Sequence, residues 1–226
     1  PVATSSVGHV YSQRLALWRY QSEGRAAEGW GNLGFWDHRA HGRSGRSSDA
    51  RSTSEQLGND LLSVINACAP SGKVVLVGHS MGGMTIMALA DRHPDLFGER
   101  IAGVALLSTS PGRLAEVTFG LPAAMTHVTK RVMPYLTRGM RGRPDLFEGG
   151  RRLGTDLAFI ASRRAAFGLD DVSPSLVEFV EKMTADTPVD VIAEFYDTFM
   201  RHDKLDALQV LSRVETLILV GSKDVI

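Results

Sequence analysis

The chain has 226 residues, 43% hydrophobic and 22% charged, with 23 glycines and 9 prolines; this is the profile of one soluble globular domain with ample core, and it excludes disorder and collagen-like repeats. Lysine plus arginine (25) equals aspartate plus glutamate (25), so no global basic field draws nucleic acid or an anionic membrane, and a small, weakly charged substrate is the easier partner. The single cysteine, Cys68, excludes an internal disulfide and a cysteine-based zinc site, and no apolar run approaches the ~18 residues of a membrane span, which leaves the cytoplasm as the default location.

Short apolar runs bounded by turn residues at 33–36, 74–78, 102–108 and 217–221, with 2–7 a weaker candidate, are expected to be strands buried on both faces. Ser52-Thr53-Ser54-Glu55 is a capping-box pattern that opens a helix through Leu57, Leu61, Val64, Ile65 and Cys68, closed by Pro70. A second helix, 84–93, is stopped by Pro94. Strand and helix alternate, so the fold class is α/β with a mostly parallel, doubly wound sheet.

From 111 to 190 the pattern turns helical, with segments at 121–136, 153–167 and 175–183. An excursion of this length between sheet strands is expected to be an inserted helical cap, which divides the chain into core (1–110), cap (111–190) and core (191–226). Its basic stretch, 138–152, reads as solvated surface. An acidic amphipathic helix follows at 191–200. The sequence stops directly after a strand-like run, so a last strand and helix are expected to be missing and the chain to be a fragment.

The chemistry resides in Val74-Val75-Leu76-Val77-Gly78-His79-Ser80-Met81-Gly82-Gly83, a strand, then G-x-S-x-G, then a helix. A serine at a sharp strand-to-helix turn has a strained backbone, and residues two before and two after it must lack colliding side chains. Gly78 and Gly82 meet that demand. The following helix aims its positive end at the site, where the Met81 amide can stabilise a developing oxyanion.

Four stretches resemble the α/β-hydrolase family, and specifically its capped, serine-nucleophile esterase and lipase-like members. Gly78-His79-Ser80-Met81-Gly82-Gly83 resembles the nucleophile elbow, Asp37-His38-Arg39-Ala40-His41-Gly42-Arg43-Ser44 the D-x-R-G-x-G-x-S loop, and Thr216 to Asp224 the strand that ends at the catalytic acid. His9-Val10-Tyr11 occupies the place of the H-G-x segment. The resemblance implies that Ser80 is the nucleophile, that Asp224 orients the base, and that the amides of Met81 and Tyr11 form the oxyanion hole. Val10 and Ala40 stand where the family usually has glycine.

The family's base histidine lies after the acid, whereas only Val225 and Ile226 follow Asp224 here. The other histidines are poor substitutes: His79 is a packing residue, His38 and His41 lie in a polar turn, His93 ends a helix, His202 is assigned to the surface and His127 to the cap. The base is therefore expected beyond residue 226. The leading function is hydrolysis of a small apolar acyl or ester substrate through an acyl-enzyme. The alternatives are a ligand-binding protein that keeps the fold without turnover and a cofactor-free peroxidase-like enzyme. No metal site and no dinucleotide fingerprint is present in the sequence, and the hydrolysis needs no cofactor.

Overall fold

A computed structural model describes residues 14–20, 33–46, 52–117, 123–153, 172–185, 187–222 and 224. The strands are β1 (Arg14–Tyr20), β2 (Leu33–Asp37), β3 (Lys73–His79), β4 (Ile101–Leu107) and β5 (Glu215–Leu219), joined in one sheet in the order β2-β1-β3-β4-β5. β3, β4 and β5 are parallel neighbours, and β1 runs antiparallel between β2 and β3. Four strands thus point one way, as a mostly parallel sheet requires. β1 has no counterpart in the sequence reading, because its apolar run is only four residues long and is bracketed by Arg14 and Arg19; what places it is backbone pairing such as Leu17 opposite Leu76. The weaker strand candidate at 2–7 lies outside the described residues.

Helices α1 (Ser54–Cys68) and α2 (Met81–Arg92) pack on each other and on the sheet. Leu61 and Ile65 of α1 and Ile86, Met87 and Leu89 of α2 meet Val74 and Leu76 of β3 and Val104 and Leu106 of β4 in one buried cluster. The helical period of α1 and the alternation of β3 bring these side chains to a common face. The capping motif operates one residue later than its sequence pattern suggests: Thr53 is the N-cap, and its hydroxyl accepts the N–H of Gln56 at 3.2 Å. Ser52 is drawn away to donate to Glu194 at 3.1 Å. Removing the cap oxygen with Thr53→Ala is expected to cost about 1 kcal/mol, read as a lower urea midpoint with an unchanged slope.

After a short helix, α3 (Leu96–Glu99), and β4, the chain is helical: α4 (Ala123–Gly142), α5 (Pro144–Leu153), α6 (Pro174–Ala185), α7 (Val189–Arg201) and α8 (Leu208–Leu211). α4 packs on α5 and α7. In the basic stretch 138–152 Arg138, Arg141 and Arg143 are exposed, as expected of a solvated surface, and Arg141 also donates to Asp197 of α7 at 2.5 Å and to the carbonyl of Ala193 at 2.8 Å. The expected helix at 153–167 falls almost entirely outside the described residues. α7 is bound to the sheet side of the molecule at several points. Arg46 pairs with Asp190 and Glu194 at 2.5 Å each, and the Thr198 hydroxyl donates to the carbonyl of Ser52. Among the described residues no helix is long and apolar enough to cross a membrane.

β5 corrects one expectation. Its apolar run was expected to be buried on both faces, yet Leu217, Ile218, Leu219 and Val220 are 51%, 68%, 52% and 67% exposed. The reason is position: β5 is the outermost strand of the described sheet and pairs only with β4.

Candidate active site

β3 delivers the elbow. Its last residue, His79, pairs with Leu107 of β4, Leu107 pairs with Leu219 of β5, and the Ser80 N–H donates to the Leu107 carbonyl at 3.0 Å. The carboxyl ends of three parallel strands are therefore level, the usual place for a ligand crevice in an α/β sheet. Ser80 has φ 50° and ψ −118°, a left-handed backbone on a residue that carries a side chain. Such a conformation costs about 1–3 kcal/mol and persists only where the surroundings over-determine it.

The surroundings do so through glycine. A Cβ on Gly78 would stand 2.5 Å from the Gly82 carbonyl carbon and 2.6 Å from the Gly83 nitrogen, so β3 and the first turn of α2 approach closer than any side chain allows. Met81 is the first residue of α2, so its N–H has no acceptor within the helix. Its side chain is fully buried against Leu57 of α1 and against Val191 and Phe195 of α7.

Asp224 lies just beyond β5, with its N–H donated to the Gly221 carbonyl at 3.0 Å. By strand spacing the end of β5 is two strands, about 10 Å, from that of β3. The charge of Asp224 reaches the elbow, where it opposes the burial that lowers the titration of His79. The structure thus places Ser80, Met81 and Asp224 at one end of the sheet. Tyr11, with His9 and Val10, lies outside the described residues.

The loop after β2 is an ordered structure held by its own motif residues. The Arg43 N–H donates to the Asp37 carboxylate at 3.1 Å, and the Ser44 hydroxyl to the Asp37 carbonyl at 2.6 Å. Arg39 grips Asp60 of α1 through two bonds of 2.7 Å. Ala40, at the glycine position of the motif, takes φ 61°, so the departure carries left-handed strain of about 1 kcal/mol.

The histidines correct the sequence reading. His38 and His41, assigned to a polar turn, are 1% and 5% exposed. The ring of His38 meets the edge of Trp36, and His41 meets Phe195 of α7 at 4.9 Å between centroids. His41 Nδ1 lies 2.9 Å from the Arg39 carbonyl, which only accepts, so the proton sits on Nδ1. His202, assigned to the surface, is 3% exposed and pairs its Nδ1 with the Ser54 hydroxyl at 3.0 Å. Its burial follows from a turn that sequence does not display: after α7 the chain pairs back on the segment following β4, with Asp203 bridged to Gly112 and Lys204 bonded to Pro111. Burial holds His38 down to about 3 and His202 to about 4, and it lowers His41 as well. His93 is the C-cap of α2, and His127 is exposed on α4.

Comparison with known families finds that the model of the alpha/beta hydrolase fold matches residues 34–226. The chain belongs to the α/β-hydrolase fold family. Among solved structures, an esterase from Thermogutta terrifontis is similar at 25% identity and a TM-score of 0.57, over 86% of this chain and 62% of that one. A hydrolase from Oleispira antarctica matches at 18% and 0.58, over 85% and 63%, and a bromoperoxidase from Bacillus anthracis at 19% and 0.55, over 85% and 64%. This α/β-hydrolase chain thus spans less than two thirds of the length of each. No curated protein sequence matches it.

Proposed function

We propose that the whole protein is a serine hydrolase of carboxylic esters or related acyl compounds. The observation that carries this reading is the left-handed backbone of Ser80 at the strand-to-helix turn, where Gly78 admits α2 at a distance no side chain permits. In this reading the Ser80 hydroxyl oxygen attacks the acyl carbon, and its proton passes through a base to the departing alcohol. Water then cleaves the acyl-serine bond, releases the acid and restores the hydroxyl. The Met81 N–H holds the carbonyl oxygen while it carries charge, and the Tyr11 amide is assigned the second donor. Asp224 orients the base, a histidine expected to follow it in the whole protein.

Four of the six described histidines support that assignment, because His38, His41 and His202 are buried and His93 closes a helix. The similar esterase favours an ester over other acyl compounds. We assign residues 111–190 to a cap. Val191 and Phe195, just past that segment, are buried with Met81 in one apolar cluster, and the reading takes a small apolar acyl group as the substrate.

The test is a fluorophosphonate probe on the protein expressed from its whole reading frame. Stoichiometric labelling that Ser80→Ala abolishes is expected. Absence of labelling, or labelling that survives the substitution, overturns the reading and leaves ligand binding without turnover as the better description.

A further inference from the structure

Ser80 and Met81 share one trans peptide plane, so the carbonyl of the first and the N–H of the second point in opposite directions. That carbonyl accepts the N–H of Gly83 at 3.0 Å and of Met84 at 3.3 Å, both from α2 itself. It also accepts the hydroxyl of Thr109 at 2.7 Å, and Thr109 comes from a different element, the segment that follows β4. This approach explains the last glycine of the elbow. A Cβ on Gly83 would stand 2.5 Å from Thr109 Cγ2 and 2.6 Å from its Oγ1. The β-branched side chain has few rotamers with which to yield.

We propose that Thr109 is a positioning residue for the oxyanion donor. Its hydroxyl fixes the Ser80–Met81 peptide plane from the carbonyl side, which keeps the Met81 N–H turned toward the acyl oxygen. A bond accepted by the carbonyl also polarises the amide and strengthens the donor at its other end. Helix bonds alone would let the strained first turn of α2 relax together with the plane; a hydroxyl anchored beyond β4 does not move with α2. The inference rests on the serine-hydrolase reading of the site.

The experiment compares the wild-type enzyme, from its whole reading frame, with Thr109→Val and Thr109→Ser. Fluorophosphonate labelling rates, kcat and KM for a neutral ester, and melting temperatures are measured. Losing an oxyanion donor outright costs about 10²–10³ in kcat, so loosening one is expected to cost about tenfold. The expected result is slow labelling and low kcat in Thr109→Val, with KM unchanged and the fold retained, and recovery to within about twofold of wild type in Thr109→Ser.

Wild-type rates in Thr109→Val, or equal slowing in Thr109→Ser, would overturn the inference, because the methyl rather than the hydroxyl would then matter. Should Thr109→Val not fold, Thr109→Ala against Thr109→Ser supplies the same comparison: slowing confined to the alanine variant supports the inference, and equal rates overturn it. Wild-type protein that does not label defeats the serine-hydrolase reading instead, a result distinct from an unchanged Thr109 variant in a labelling enzyme.

Discussion

On the proposed serine-hydrolase reading, Gly78→Ala is expected to slow reaction at Ser80 about a hundredfold and to destabilise the protein at the same time. The added Cβ would meet the Gly82 carbonyl carbon at 2.5 Å, the Gly82 oxygen at 2.6 Å and the Gly83 nitrogen at 2.6 Å. All three are backbone atoms of the first turn of α2, so no side chain can swing aside, and relief requires the turn to move away from β3. Overpacking where rotamers can adjust costs about 1–3 kcal/mol; here the cost is expected at or above the top of that range, and the melting temperature to fall by roughly 6–12 °C.

The chemical effect is larger, because displacement of α2 carries Ser80 and the Met81 N–H out of register together, and a shift near 1 Å costs about a hundredfold in rate. Gly149→Ala in α5 is the matched control: nothing stands within 4 Å of that position, so the same methyl is expected to be neutral or slightly stabilising. A Gly78→Ala protein that melts with the wild type and labels at its rate would mean that the close approach of β3 and α2 is not what holds the elbow.

The elbow was legible in sequence because its constraint is local. A strand, two glycines two residues either side of a serine, and a helix demand one backbone geometry, and Ser80 adopts it. α1 was legible for the same reason, since period and cap lie within fifteen residues; only the choice between Ser52 and Thr53 as cap depended on Glu194, far along the chain. What sequence did not reveal is set by distant partners. β1 is a strand because Gly78 to Lys73 pair with it. His41 is covered by Phe195 of α7, and His202 is turned inward by the pairing of Asp203 with Gly112. Thr109 carries no motif at all. Its role follows only from the meeting of the β4 end with the elbow.

The buried His38 leads to the second large effect, on acid stability. The ring is 1% exposed, and neither nitrogen has a hydrogen-bond partner among the described residues. Burial is the main cause that holds its pKa down to about 3, helped by His41 and opposed by Asp60 and Asp37. In the unfolded chain the group titrates near 6.5. Between those values the unfolded chain binds the proton and the folded one does not, so stability is complete above pH 6.5 and is lost as pH falls toward 3.

Each unit in that window removes up to about 1.4 kcal/mol, or on the order of 2 kcal/mol by pH 5. His38→Leu removes the titration and replaces two unsatisfied nitrogens with apolar surface of similar volume, a change that is neutral or stabilising at pH 7. Urea unfolding at pH 7 and pH 5 is therefore expected to give the variant an advantage at pH 5 that exceeds its advantage at pH 7 by about 2 kcal/mol. The residual acid sensitivity of the variant includes His202, held to about 4 beneath α1, and His41 and His79, which burial lowers as well. An identical pH dependence in wild type and His38→Leu would place the proton uptake elsewhere and would require His38 to be solvated in the folded protein.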